Sequence, residues 1–157
     1  MHAWSLLSIS SAFDPYLELM SESQVHPIVA LMMERDAMSQ WLGLEVIESS
    51  PGHCVCRMTV RKEMVNGFGI AHGAITYALA DSTLAFAVNA MGRHTVSVTS
   101  TIQHLRPAHA GDTLTATSRL RSDGGTMVHV DVEVTNQQDR PVALLTATGY
   151  KRSESWV

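Results

Sequence analysis

The chain has 157 residues, 45% of them hydrophobic and 17% charged, and a formal net charge of −4. That length fits one domain, and the composition is globular rather than disordered. Scattered Lys and Arg under an acidic balance exclude a basic nucleic-acid-binding surface, although two or three local basic side chains are enough to hold a ligand with a few phosphates.

Residues 1–27 read as a loosely attached N-terminal arm, with frequent Ser and a boundary at His26-Pro27. No Lys or Arg precedes its short apolar stretch, and Asp14 and Pro15 interrupt the pattern. No signal peptide is predicted, and the cytoplasm is the expected location. The folded domain is expected over 28–157.

Within that domain Ile28, Leu31, Met32, Ala37 and Met38 recur at roughly helical spacing. They predict one helix over about 28–41, stopped by Gly43. A short strand is predicted over 44–49 and a turn at Pro51-Gly52. Residues 53–60 alternate, with Cys54, Cys56, Met58 and Val60 on one face, which is strand periodicity. The C-x-C cysteines then face the same side, about 7 Å apart along the strand, a poor disulfide geometry. They read as small buried side chains in a reducing compartment. Residues 61–71 hold Gly67 and Gly69 and read as a loop.

Residues 74–91 are apolar almost all round, which places such a helix in a protein core or a bilayer. Asp81 stands near the middle, where an acid costs about 2.5–3.5 kcal/mol in a bilayer. No second such segment exists and basic flanks are sparse, so a core helix ended by Gly92 is predicted, with no membrane association. Four strand-like runs follow, over about 95–105, 113–120, 128–134 and 142–150. Turns at Ala110-Gly111-Asp112, Asp123-Gly124-Gly125 and Gln138-Asp139-Arg140 predict hairpins between them. The sum is an α+β domain in which an antiparallel sheet of about six strands curls around one long helix.

The segment that carries chemistry is Asn66-Gly67-x4-His72-Gly73-Ala74-x6-Asp81. A carboxylate inside an apolar helix needs either a partner or a raised pKa. Asp81 therefore reads either as a structural acid paired across a subunit interface or as a general base or nucleophile in a desolvated pocket. Gly73 opens the same helix, where free N–H groups carry partial positive charge and meet a developing oxyanion. The alternative is that Gly73 only lets the helix pack closely on the sheet. Eight residues along a helix are roughly 12 Å, so one carbonyl cannot touch both Gly73 and Asp81 of the same chain. If both act on one substrate, an isologous dimer is required.

Other chemistries lack their motifs. The eight histidines form no H-E-x-x-H or close Cys/His cluster, so no metal is expected. There is no Gly-rich phosphate loop and no G-x-S-x-G elbow. His104 and His109 flank Arg106-Pro107 and suit a surface or ligand rim.

The run MVNGFGIAHGAITYALADSTLAFAVNAMG resembles the signature of hotdog-fold thioesterases, in particular the phenylacetic-acid-degradation branch. Later stretches, including SVTSTIQHLRPAHAGDTLTATSRLRSDGG, are similar to it as well, so the resemblance covers about residues 28–152. It implies a hotdog fold and hydrolysis of acyl-CoA thioesters, of phenylacetyl, other aryl-acyl or medium-chain type. No separate cofactor is implied, because coenzyme A belongs to the substrate. An obligate homodimer, associating to a homotetramer, is implied as partner.

The resemblance also implies roles. Asp81 would attack the thioester or activate water, and the Gly73 N–H would polarise the carbonyl. His72 would orient that loop, Asn66 would help bind thioester or water, and Ser97 would position water. Ser82 and Thr83 could touch the ligand. Where the family reads His-Gly-Gly this chain has Ala74, which keeps the Gly73 N–H. For CoA phosphates Arg93, Arg106, Arg121, Lys151 and Arg152 are candidates by position, Arg106 foremost. The competing classes are a non-enzymatic acyl-CoA-binding protein, for which residues 1–43 are too short and insufficiently basic to add a DNA-binding segment, and a hotdog dehydratase or hydratase, whose local motif differs.

Overall fold

The computed structural model describes residues 24–156. Most of the predicted arm lies outside them. Its last residues are fastened rather than loose: the Ser49 N–H donates to Gln24 O at 2.7 Å, and the His26 N–H donates to Ser49 Oγ at 2.8 Å.

The single helix predicted over 28–41 is two helices, α1 (Pro27–Arg35) and α2 (Ala37–Leu42). Asp36 separates them with φ −91° and ψ 86°. Its Oδ1 accepts from the N–H groups of Met38 and Ser39, both at 3.1 Å, and so starts a new helix. A short polar side chain that caps competes with helix continuation, and apolar spacing does not register that. Gly43, in the left-handed region at φ 69°, stops α2 as expected.

Two strands follow, β1 (Glu45–Ser50) and β2 (His53–Thr59), and then the long helix α3 (Gly73–Asn89). The remaining strands are β3 (Arg93–His104), β4 (Thr113–Asp123), β5 (Met127–Asn136) and β6 (Pro141–Ser155). Helix α3 ends earlier than predicted, at Asn89, and Gly92 with φ 99° turns the chain into β3.

All six strands form one antiparallel sheet in the order β1-β2-β4-β5-β6-β3. Helix α3 touches every one of them, which is the curled hotdog arrangement. Leu79, Leu84 and Phe86 of α3 meet Met58, Leu114, Val130 and Leu145 of the sheet in a continuous core. The alternation predicted for β2, β4 and β5 is the alternation between this core and the outer face.

One predicted hairpin is absent. Strands β3 and β4 are consecutive but not paired; β3 lies against β6 and β4 against β2. The connection 105–112 is instead tied to the loop before α3. The Ala71 N–H donates to Ala108 O, the Val60 N–H to Asp112 O and the Gly111 N–H to Val60 O. These bonds carry the chain across to the β2 side of the sheet. Turn residues mark where a chain reverses and do not say which strand it will join.

Cys54 and Cys56 face the core, fully buried and unlinked, with their sulfurs 3.6 Å apart, closer than the strand spacing alone implied. The neighbouring Cys56 and burial push the Cys54 thiol far up, so it stays protonated.

Candidate active site

The loop from Asn66 to His72 delivers the chain to the start of α3. Asn66 Oδ1 accepts from the Phe68 N–H at 2.9 Å, which leaves the Asn66 amide NH₂ as the group available to a ligand. The His72 N–H is held by Met64 O at 2.9 Å. His72 is the N-cap of α3: its Nδ1 accepts from the Ala74 N–H at 3.0 Å, and its carbonyl accepts from Ile75 at 2.8 Å. The N–H of Gly73, between them, has no acceptor among the described residues. One donor at the positive end of a 17-residue helix is therefore free, and it lies where the sequence placed it.

A cavity of about 430 Å³ adjoins that donor, lined by Asn66, Gly73, Thr76, His104, Arg106 and neighbouring loop residues. Three sequence-predicted residues, Asn66, Gly73 and Arg106, thus meet in one place. The arrangement adds His104 and Thr76. Thr76 Oγ1 has one hydrogen and donates it to Gly73 O at 3.0 Å, since a carbonyl only accepts. Toward His104 Nδ1, 3.2 Å away, the hydroxyl must accept, so Nδ1 carries the ring hydrogen. In the neutral ring Nε2 is then an acceptor, and it lies against Gly73. Thr76 carried one signal, as a polar residue three positions after Gly73 in an apolar helix. His104 carried none beyond its place near Arg106.

Asp81 does not share this cavity. It lies two turns along α3 on the side away from the sheet, half-buried. Its Oδ1 is sealed from solvent and has no hydrogen-bond partner among the described residues. Burial raises its pKa above the ordinary carboxylate value. Among the described residues no cation pairs with it.

Ser97 lies in a different cavity, at the far end of α3. Ser82 and Thr83 serve packing: Ser82 Oγ lies 2.8 Å from Ser39 Oγ, and Thr83 donates to Leu79 O at 2.7 Å.

The basic candidates sort themselves as well. Lys151 is buried and paired with Asp123 at 2.6 Å. Arg121 pairs with Asp131, Arg152 with Glu154, and Arg93 donates to the carbonyls of Gly125, Lys151 and Arg152. Arg106, bonded through one nitrogen to Pro141 O at 2.7 Å, is the one that lines the cavity beside Gly73. Among the described residues no three His, Cys, Asp or Glu side chains converge on a point, and no helix is long and apolar enough to cross a membrane.

The arrangement resembles known proteins in sequence and in shape. The family described as the Thioesterase superfamily matches residues 68–143. The acyl-coenzyme A thioesterase PaaI of Escherichia coli is 40% identical over 120 residues, which span 76% of this chain and 86% of that protein. The structure of the E. coli PaaI protein, from the phenylacetic acid degradation operon, superposes with a TM-score of 0.80 at 38% identity, covering 82% of this chain and 93% of that one. A hypothetical thioesterase from Streptococcus pneumoniae, crystallised with coenzyme A, gives a TM-score of 0.75 at 28% identity over 80% of this chain and 98% of that one. A free helix-start donor, a desolvated acid on the same helix and this ancestry lead to one conclusion: the chain belongs to the thioesterase superfamily and is a thioester hydrolase.

Proposed function

We propose that the chain hydrolyses acyl-CoA thioesters to the free acid and CoA, at a site that two copies of the chain build together. The observation that carries this reading is the unpartnered, sealed Oδ1 of Asp81, two turns from the free N–H of Gly73. In an isologous dimer each Gly73 faces the Asp81 of the other protomer. The thioester oxygen accepts from the Gly73 N–H, and the helix dipole favours the charge that develops there. Asn66 offers its NH₂ to the same group or to water, and His72 fixes the turn that aims the Gly73 N–H. Asp81 either takes a proton from the attacking water, with Ser97 helping to place it, or attacks the carbonyl itself. In both routes the C–S bond breaks and CoA leaves as the thiol; in the second, water then cleaves the acyl–Asp81 anhydride, which releases the free acid and restores the carboxylate. Arg106 meets a CoA phosphate. No further cofactor enters.

Exposed apolar surface supports the dimer. Strand β3 is a sheet edge, and it exposes Val96 at 50% and Val98 at 52%, while Tyr77 projects from the open side of α3. A long edge of this kind is ordinarily covered. Exposed Met127, Leu144 and Tyr150 support further association to a tetramer. The names of the E. coli relatives favour phenylacetyl and similar aryl-acyl groups as substrates, in a cytoplasmic enzyme.

The test is thiol release across a panel of aryl- and fatty-acyl-CoAs, with Asp81→Ala as the control. Hydrolysis that vanishes in the variant is expected. Near-normal rates in that variant would overturn the reading. A single turnover in ¹⁸O-water tests the second route, because label in Asp81 requires an acyl–Asp81 anhydride opened at the Asp81 carbonyl.

A further inference from the structure

A second cavity, of about 330 Å³, opens at the far end of α3 beside Met32, Ala85, Asn89, His94, Ser97 and Trp156. Ala85 is one turn beyond Asp81 on the same helix face, so the cavity begins roughly 6 Å further along from the carboxylate. Its far wall is Trp156, and that residue is held firmly. The Trp156 N–H donates to Gly92 O at 3.0 Å, and the indole Nε1–H donates to Asn89 Oδ1 at 2.8 Å. The rings of Trp156 and His94 lie with centroids 4.3 Å apart.

Asn89 is itself buried and anchored. Its amide donates to Ala85 O and Thr95 O, and its oxygen also accepts from the Thr95 N–H, each at 2.9 Å. At the rim the Arg152 guanidinium is paired with Glu154 at 2.6 Å. Asn89 and the Trp156 indole thus spend their polar groups on each other and on the backbone, and Met32, Ala85, Val96 and the indole make the lining mainly apolar, with Ser97 and His94 adding polar atoms. Such a space suits an uncharged hydrocarbon or aryl group.

We propose that this cavity receives the acyl group of the substrate and that Trp156, backed by His94, sets the longest acyl group the enzyme accepts. The inference rests on the proposed function, since it takes the reacting carbonyl to lie at Asp81. From that carbonyl the acyl group runs along α3 past Ala85 and stops against the indole. CoA leaves in the opposite direction, past Gly73, His104 and Arg106 of the other protomer.

The experiment compares kcat/KM across straight-chain acyl-CoAs from acetyl to palmitoyl and across aryl-acyl-CoAs, for the wild-type protein and three variants. Trp156→Ala removes the wall and should move the length limit to longer chains, with a gain of roughly fourfold for each additional methylene accommodated. Ala85→Leu fills the cavity from the helix side and should move the limit to shorter chains. Trp156→Phe keeps a ring beside His94 and should hold the limit near its native place. If Trp156→Ala loosens the end of β6, seen as a lowered Tm, Ala85→Leu carries the test from the opposite wall. A wild-type chain that hydrolyses no acyl-CoA overturns the proposed function itself. A working hydrolase whose length limit ignores both Trp156→Ala and Ala85→Leu overturns only the role of this cavity.

Discussion

The imidazole of His104 lies directly against Gly73, with Nε2 3.1 Å from the point a β-carbon on residue 73 would occupy. The glycine that opens α3 is thus required by a side chain from β3 as well as by any ligand. A methyl group there must push the ring aside by a few tenths of an ångström or turn the peptide that carries the free N–H. Gly73→Ala is expected to lower kcat/KM by about 10²-fold, the usual effect of losing one oxyanion donor, with the fold retained. Thiol-release kinetics together with far-UV circular dichroism check this. An unchanged rate in a folded variant removes Gly73 from the site.

Asp81 should behave as an acid that is costly to the fold and needed for the reaction. Asp81→Asn keeps the shape and removes the base, and kcat is expected to fall by about 10²–10⁴. The same variant should be more stable at neutral pH. Burial raises the folded-state pKa above the unfolded one, so the wild-type protein loses stability as pH climbs through the raised value. Below the unfolded value, near 3.9, wild type and variant should converge. Thermal unfolding from pH 3 to 8 reads this; a variant less stable than wild type at pH 7 contradicts it.

The same shift shapes the activity profile. If the ionised Asp81 is the working form, the acid limb of kcat/KM should sit above the ordinary carboxylate range, because burial alone displaces it. The limb should be absent from the residual activity of Asp81→Asn. An acid limb at the ordinary carboxylate value places the titrating group elsewhere.

The ion pair between Lys151 and Asp123 predicts the opposite pH trend. The Lys151 ammonium beside it, and then the Gly125 N–H, hold the Asp123 carboxyl below its usual value. A depressed pKa contributes stability above the unfolded value that is lost as pH falls through the folded one. Asp123→Asn should lower Tm at pH 7 by leaving a buried ammonium without its counter-charge, and the difference should disappear in acid. A Tm equal to wild type at pH 7 sinks this account.

Gly149 of β6 tests the packing under α3. A β-carbon there would stand 2.9 Å from Val128 Cγ1 and 3.0 Å from Thr95 Cγ2, inside a closed core. Gly149→Ala is expected to destabilise the protein by about 1–3 kcal/mol, lowering Tm by a few degrees per kcal/mol. Differential scanning calorimetry measures it directly.

Local pattern was enough for much of this protein. The alternation through Cys54, Cys56 and Met58 and through Val128 to Val134 follows from the two-residue period of a strand with one buried face. The apolar run about Asp81 follows from a helix that meets the sheet along one side and the two short helices beside it, and the eight-residue gap from Gly73 already required two chains if both act on one substrate. The tertiary structure alone decided the rest, because pairing across the chain leaves no local mark. It set the order β1-β2-β4-β5-β6-β3 in place of a simple meander and buried Lys151 against Asp123. It also brought His104 to Gly73 and Thr76, and Trp156 to the cavity that Ala85 lines, meetings of residues far apart in sequence, fixed by how the sheet closes on its helix.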